Sequence, residues 1–154
     1  MNAERQFVTT VPINISIVSA TLLSEEECVK NQKLIPPLAW WWTRSPDPYD
    51  KEAAGCVLHD GRVDSAPVND ELVHIRPALI YDQESSDIAP GDKVILNGAT
   101  YTVLHDGYLL RDEAIGRDSF RNDFKDCSAN DYDKSDVKKV VDKWYRKEFE
   151  YGTR

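Results

Sequence analysis

Short runs in which apolar and polar residues alternate recur along this chain, a pattern typical of half-buried β-strands. The first run spans residues 13–18, where isoleucines occupy every second position. Ser24 and Glu27 then have the spacing of a capping box, which predicts a short helix continuing to about Lys33. The prolines at 36–37 prevent a longer helix, because proline lacks the backbone N–H that the helix needs.

Three consecutive tryptophans, Trp40, Trp41 and Trp42, belong to the next predicted strand. An indole buries roughly 150–250 Å², so each one must enter the core or form a binding surface. In a regular strand Trp40 and Trp42 point to one face and Trp41 to the other. Both faces of this strand therefore need cover, unless one of them is a binding surface.

Tight turns are predicted wherever Gly follows Asp or Asn between two apolar runs. Such dipeptides join strands predicted at residues 56–58 and 62–63, and three meandering strands at 92–96, 100–104 and 108–110. A further extended segment at residues 73–81 contains Pro77, which favours a sheet edge or a bulge.

An amphipathic helix is predicted from about Ser135 to Phe149, because its apolar residues recur at the i, i+3, i+4, i+7 spacing. Strands that outnumber helices in this mixed order favour an α+β fold with long loops. The length of 154 residues favours a single domain over residues 1–154. A polar connector at 82–90 separates a first half, residues 13–81, from a second half, residues 91–149.

The formal net charge of −8 argues against a nucleic-acid partner and against an anionic membrane surface, both of which attract basic patches. It permits attraction to a basic protein surface. No apolar run reaches the 18 or so residues of a membrane helix, and no signal peptide is visible, so membrane insertion is not expected. The three cysteines lack the spacing of a metal site or a disulfide framework and indicate reduced thiols in a cytoplasmic product.

Catalytic chemistry has weak support in the sequence. His59, His74 and His105 fall in strands or turns, and no GxSxG motif supplies a nucleophile. The pentapeptide VLHDG occurs at 57–61 and again at 103–107. We interpret both copies as strand ends that enter tight turns, with duplicated halves or two His-Asp pairs as the alternatives. We therefore predict no enzyme activity, no catalytic residues and no cofactor.

The acidic stretch from Asp123 to Asp136 is the best candidate for a metal site, since Asp131 and Asp133 alternate as calcium ligands do. Acids placed just before a helix also cap it, and capping is the interpretation we favour. Arg44 and Arg76 each follow an apolar stretch and lie next to or near a proline. A guanidinium in such a position can donate to loop carbonyls, stack on tryptophan or bind an anionic ligand. We favour the first two roles, which are structural.

A family resemblance links these motifs. The segments WWTRSP at 41–46, HDGRV at 59–63 and IRPAL at 75–79 resemble the WWLRSP…DG…VRPAL signature of uncharacterised proteins from bacteriophages, prophages and gut Firmicutes. The segment ATLLSEEE at 20–27 is similar to the part that precedes those tryptophans. GDKV at 91–94, YTVL at 101–104 and the stretch 131–138 resemble a second conserved part, in an order circularly swapped relative to the commoner arrangement.

The tryptophan and RPAL signature is similar to the closing part of C-type-lectin-like domains, including the sulfatase-modifying type. The resemblance implies a small twisted antiparallel sheet, two helices and long loops able to hold a ligand. The swapped order is compatible with that fold, whose termini lie close together. The copper-binding cysteines of the sulfatase-modifying enzymes have no counterpart in this chain.

The leading hypothesis is a non-enzymatic protein of phage origin, in the host cytoplasm or the virion, that presents lectin-like loops to a protein or glycan. The expected loops are residues 44–53 and 64–72, with Tyr49 as the aromatic anchor. The polar contacts are assigned to Asp47, Asp50, Arg62 and Asp70, and the scaffold beneath them to Trp40, Trp41, Trp42, Arg44 and Arg76. The alternative is an intracellular phage inhibitor that binds a host defence protein through an acidic surface. Either protein would act as a monomer or an oligomer.

Overall fold

The structure, a computed structural model, describes residues 8–9, 15–85, 87–121 and 130–151. In chain order its strands are β1 Val8–Thr9, β2 Ile17–Thr21, β3 Trp41–Pro46, β4 Ala53–Val57, β5 Val63–Pro67, β6 His74–Ile75, β7 Ala78–Tyr81, β8 Lys93–Leu96, β9 Ala99–Val103, β10 Tyr108–Arg111 and β11 Gly116–Arg117. The α-helices are α1 Glu25–Lys30 and α2 Asp136–Tyr145. The predicted α+β class is confirmed.

A six-stranded sheet has the order β1-β8-β9-β10-β7-β2 and is antiparallel except for the β1–β8 pair. Its centre is the pairing of β7 with β10, in which Leu79 lies opposite Leu109. Strand β7 belongs to the predicted first half of the chain and β10 to the second. The two halves therefore share one sheet, in which the strands on either side of the connector at 82–90, β7 and β8, are separated by β9 and β10.

A five-stranded sheet has the order β11-β6-β3-β4-β5. Strand β3 lies in the middle, pairing antiparallel with β4 and parallel with β6. The predicted hairpin at residues 60–61 is confirmed, with Val57 opposite Val63 across the β4–β5 pair. Helix α2 covers this sheet through the buried side chains of Val137 and Val141.

Residues 73–81, expected as one extended segment, form two strands that belong to different sheets. Strand β6 lies at residues 74–75 in the five-stranded sheet, and β7 begins at residue 78 in the six-stranded sheet. Pro77 marks the passage between them rather than an edge or bulge of one sheet. Its missing N–H suits a position that has no ladder partner.

The tryptophan run does not continue as one strand, which corrects the expected alternation. Trp41 and Trp42 are fully buried on opposite faces of β3, in separate core clusters. Trp42 packs edge-on against Phe120 with ring centroids 5.3 Å apart and donates its indole N–H to the carbonyl oxygen of Asp118 at 2.8 Å. Trp40 has a φ of +54°, so its backbone turns away from the strand and it does not share a face with Trp42.

Several element boundaries also differ from the expectation. Strand β2 begins at Ile17, and residues 13 and 14 lie outside the described part of the chain. Helix α1 ends at Lys30, where Asn31 caps it, and turns follow to residue 35. Helix α2 begins at its Ser135 cap as predicted, but after Tyr145 it continues as a π-helix over Arg146–Tyr151.

The predicted capping box is also an electrostatic centre of the fold. The Ser24 hydroxyl accepts from the Glu27 N–H at 3.1 Å, and Glu27 Oε1 accepts from the Ser24 N–H at 2.9 Å. Arg44 donates to both Glu27 oxygens, at 2.8 and 2.9 Å, and the Tyr108 hydroxyl donates to Oε2 at 2.6 Å. One carboxylate thus joins α1 to a strand of each sheet.

Arg76 lies at the passage between the two sheets and is fully buried. Its guanidinium donates to three carbonyl oxygens: Nε to Arg111 at 2.7 Å, Nη1 to Pro36 at 2.9 Å and Nη2 to Asp112 at 2.7 Å. It also stands over the Trp41 ring, 5.0 Å from the ring centroid. Burial lowers the pKa of Arg76 to about 10, so the side chain keeps its charge at neutral pH.

The Glu27 carboxylate makes the stability of the fold depend on pH in a defined direction. Burial opposes its charge, but the hydrogen bonds from Arg44, Tyr108 and Ser24 prevail and lower its pKa from 4.5 to about 2. A folded-state pKa below the unfolded value means that this stabilisation is present above pH 4.5 and is lost as the pH falls towards 2. We expect Glu27→Gln to lower the unfolding free energy at neutral pH by about 1–3 kcal/mol and to flatten its acid dependence.

Urea denaturation over a series of pH values measures this difference. The matched control is Glu26→Gln, which removes an exposed carboxylate from the same helical turn. If the unfolding free energy of both variants depended on pH in the same way, Glu27 would not be the cause of the loss of stability at acidic pH.

Replacement of Arg76 by Met should destabilise the protein by about 3–5 kcal/mol, because three carbonyl oxygens lose their donor. Arg76→Lys should recover only part of this loss, since an ammonium does not present the fork of donors of a guanidinium. Arg44→Met, at a partly exposed arginine, should cost less. The midpoint of thermal unfolding ranks the variants, and equal midpoints for Arg76→Met and Arg44→Met would contradict the assignment.

Candidate functional site

A groove of about 370 Å³ lies beside the N-terminal end of β3. The residues that line it are Ala39, Trp40, Asp70, Leu72, Val73 and His74. They come from the segment before β3 and from the loop that leads from β5 to β6. The two segments are adjacent because Trp41 pairs with His74 across the parallel β3–β6 contact.

Trp40 is the most unusual residue of this groove. Its φ of +54° lies in the left-handed region, which bulky side chains rarely adopt. His74 holds this backbone in place: its N–H donates to the Trp40 oxygen at 2.7 Å, and its Nδ1 lies 2.7 Å from the Ala39 oxygen. Nδ1 also lies 3.1 Å from the Trp40 oxygen, and because both carbonyl oxygens are acceptors, Nδ1 carries the hydrogen.

The exposed apolar surface at the groove comes from two side chains. Trp40 is 43% exposed and Leu72 is 70% exposed, although each would gain free energy by burial. Asp70 shapes the loop beside them, since its Oδ1 accepts from the Leu72 N–H at 2.9 Å. The groove thus offers an aromatic ring and an aliphatic wall next to a carboxylate, a combination suited to binding and orienting a ligand.

Tyr49, Asp47 and Asp50 form a separate turn, which follows the other end of β3. Asp47 Oδ1 accepts from the N–H groups of Tyr49 and Asp50, and Oδ2 accepts from the Ser65 hydroxyl at 2.6 Å. These hydrogen bonds lower the pKa of Asp47, and the bond from the Ser65 hydroxyl has a larger effect than the bonds from the Tyr49 and Asp50 N–H groups. The Asn130 side chain also holds the turn, because its Nδ2 donates to the backbone oxygens of Asp50 and Ala53. Tyr49 itself is 96% exposed on this rigid support.

The predicted contact residues therefore do not form one site. Asp70 lines the groove beside Trp40, whereas Asp47, Tyr49 and Asp50 share the turn that follows β3. Arg62 lies in the β4–β5 turn, where its Nε donates to Asp60 at 2.7 Å. The expected scaffold residues Trp41, Trp42, Arg44 and Arg76 lie within the fold, but Trp40, which was grouped with them, reaches the surface.

Leu72 lies at the end of the expected loop 64–72 but was given no contact, and His74 was not predicted as part of a site. Leu72 directly precedes Val73 at the end of a polar stretch, and His74 belongs to the extended segment that begins there. The available signal was the run of three tryptophans, which raised the choice between core and surface for each of them. Only the reversal of the backbone at Trp40 decides it.

Two of the three cysteines, Cys28 and Cys56, lie in the described part of the chain and are buried. Burial raises the pKa of the Cys28 and Cys56 thiols to about 12, so neither is a thiolate at neutral pH. Both VLHDG copies end a strand and enter a tight turn, with Gly61 and Gly107 at φ values of +89° and +87°.

The acidic stretch is only partly described, because Asp123, Asp126 and Cys127 lie outside the described residues. Asp131 caps the short 3-10 helix Tyr132–Lys134, whereas α2, the helix predicted from about Ser135, is capped by Ser135 and has Asp136 in its first turn. Among the residues that the structure describes, no group of three His, Cys, Asp or Glu side chains is placed to hold a metal ion. In the same part of the chain, no helix is both long and apolar enough to cross a bilayer.

Residues 18–83 match DUF6273, a domain family of unknown function. The match extends from β2 to the start of the connector and includes Trp40, Asp70, Leu72 and His74. Comparison with curated proteins and with solved structures finds no match.

A substitution at Trp40 distinguishes a surface role from a core role. We expect Trp40→Asn to change the unfolding free energy by less than about 1 kcal/mol, because asparagine tolerates a positive φ and offsets the lost indole contacts. Trp41→Ala, which opens a cavity in the core, should cost about 3–5 kcal/mol. Urea denaturation measures both, and equal losses would make Trp40 a structural residue.

Proposed function

We propose that this chain is a non-enzymatic binding protein of bacteriophage or prophage origin, with a C-type-lectin-like fold, that holds a protein or glycan partner at the Trp40 groove. The single observation that carries the proposal is the conformation of Trp40. A bulky aromatic residue is held at positive φ and left 43% exposed beside an exposed Leu72. This arrangement does not serve the core.

Backbone strain of this kind costs about 1–3 kcal/mol and concentrates at binding sites and active sites. Here the His74 contacts hold the strained backbone, so the indole is positioned before a ligand arrives. Pre-organisation lowers the entropy cost of binding. Tryptophan is also among the residues that contribute most binding energy at protein interfaces.

The Tyr49 turn is a second contact in this proposal. The clamp by Asn130 and the Asp47 bonds hold its backbone, while the ring stands in solvent. Tyrosine brings a large contact area at a low entropy cost, a property exploited in antibody loops. Because the turn and the groove flank opposite ends of β3, one extended partner or two separate partners would occupy them.

The proposal of a non-catalytic role is supported by the inert thiols of Cys28 and Cys56. The two arginines of the signature also have structural partners, since Arg44 binds Glu27 and Arg76 binds backbone carbonyls. Neither guanidinium is left to stabilise a developing negative charge.

An intracellular inhibitor of a host defence protein is the second proposal, and the net charge of −8 favours it. Such an inhibitor would bind a basic surface through its carboxylates, and added salt would weaken the complex steeply. A complex centred on Trp40 and Tyr49 would depend far less on salt.

The experiment for the proposed function is a comparative pull-down from the host bacterium, with soluble and envelope fractions kept separate. The baits are the natural chain, Trp40→Ala and Tyr49→Ala, and the retained proteins and glycans are quantified by mass spectrometry. We expect at least one partner to be retained by the natural chain and lost from the Trp40→Ala bait by about 10-fold or more. Both variants must first show a cooperative unfolding transition.

A partner that both variants retain as well as the natural chain would contradict the role of the groove. Retention that is abolished by salt but unaffected by Trp40→Ala would favour the inhibitor with an acidic surface. Loss from the Tyr49→Ala bait alone would move the site to the turn.

A further inference from the structure

We propose that the Trp40 groove binds the side chain of an arginine from a basic segment of a partner protein. The guanidinium would lie against the Trp40 indole and pair with the Asp70 carboxylate. This inference rests on the proposed function, because it names the chemical class of the ligand at the same groove.

The charge of the groove favours a cation. Asp70 lines it, and within the described ranges no Lys or Arg side chain forms an ion pair with this carboxylate. Its Oδ1 accepts the Leu72 N–H, but an ionised carboxylate has about four lone-pair sites and accepts further donors. Glu71 follows directly and is exposed, and the whole chain carries a net charge of −8. Asp70 and Glu71 therefore attract an approaching cation, and Arg117, opposite His74 across the β6–β11 pair, is the positive charge that they must outweigh.

The aromatic component of the groove favours the same ligand. Indole is the strongest of the side-chain rings at attracting a cation to its face. Guanidinium suits this contact better than ammonium, because it is planar and more weakly hydrated. The fold already contains such a pair, since Arg76 stands over Trp41 at 5.0 Å.

The remaining lining of the groove fits the rest of an arginine side chain. Leu72 and Val73 supply an aliphatic wall, against which the methylene stem of arginine would pack. His74 directs Nδ1 at the Ala39 and Trp40 carbonyl oxygens, so this nitrogen is already bonded within the chain. A volume of about 370 Å³ accommodates one long side chain with adjoining backbone.

Titration with small probes tests the proposal on the intact chain. The probe is N-acetyl-arginine amide, and the readout is the indole N–H signal of Trp40 in nitrogen-15 NMR spectra, assigned with Trp40→Phe. The neutral isostere N-acetyl-citrulline amide has nearly the same shape without the charge. We expect arginine to shift the Trp40 signal and citrulline to bind about 10-fold more weakly.

Asp70→Asn supplies the second part of the test, because its amide oxygen still accepts the Leu72 N–H while the charge is removed. We expect this variant to weaken arginine binding to the level of citrulline. Glu26→Gln, which removes an exposed carboxylate of α1 that does not line the groove, is the matched control and should leave arginine binding unchanged.

Three results would overturn the inference: equal binding of arginine and citrulline, no effect of Asp70→Asn, or no shift of the Trp40 signal by arginine. A shift produced by N-acetylglucosamine but not by arginine would replace the cation by a sugar. In any of these cases a partner lost from the Trp40→Ala bait would still support the proposed function, so the two failures are distinguishable.

Discussion

The buried guanidinium of Arg76 is the interaction on which the rest of the structure depends. The chain leaves the five-stranded sheet after Ile75 and enters the six-stranded sheet at Ala78, and Arg76 lies between them. Loops that meet at such a passage leave carbonyls without ladder partners, which is costly in a buried position. Arg76 binds the carbonyls of Pro36, Arg111 and Asp112 together, so segments from both halves of the chain converge on it.

A second polar centre, Glu27 with Arg44, fixes the helix that bridges the two sheets. The carboxylate serves the N-terminus of α1, strand β3 through Arg44 and strand β10 through Tyr108. A partly buried polar network of this kind stabilises a fold when every member has its hydrogen-bond partners, as these side chains do. Both signature arginines thus act inside the scaffold, which leaves ligand contacts to residues at its surface.

The rigid scaffold explains how a strained tryptophan persists at the surface. Trp41 and Trp42 are locked into separate core clusters, so the start of β3 does not shift to relieve Trp40. His74, fixed in β6, holds the Trp40 and Ala39 carbonyls from the other side. A packed core over-determines the conformation of its neighbours, and the cost of the unusual backbone is met by burial elsewhere.

The sequence by itself determined those features whose physical cause lies within a few residues. The capping box of Ser24 and Glu27, the Asn97-Gly98 and Asp106-Gly107 turns and the amphipathic face of α2 follow from local hydrogen bonds and φ preferences. The tertiary structure alone decided that residues 73–81 divide between two sheets and that Trp40 leaves the strand. These outcomes depend on hydrogen bonds between residues far apart in the sequence. Arg76, for example, donates to the carbonyl of Arg111, and Arg111 lies 35 residues further along the chain. Local periodicity carries no information about which distant backbone will satisfy a donor.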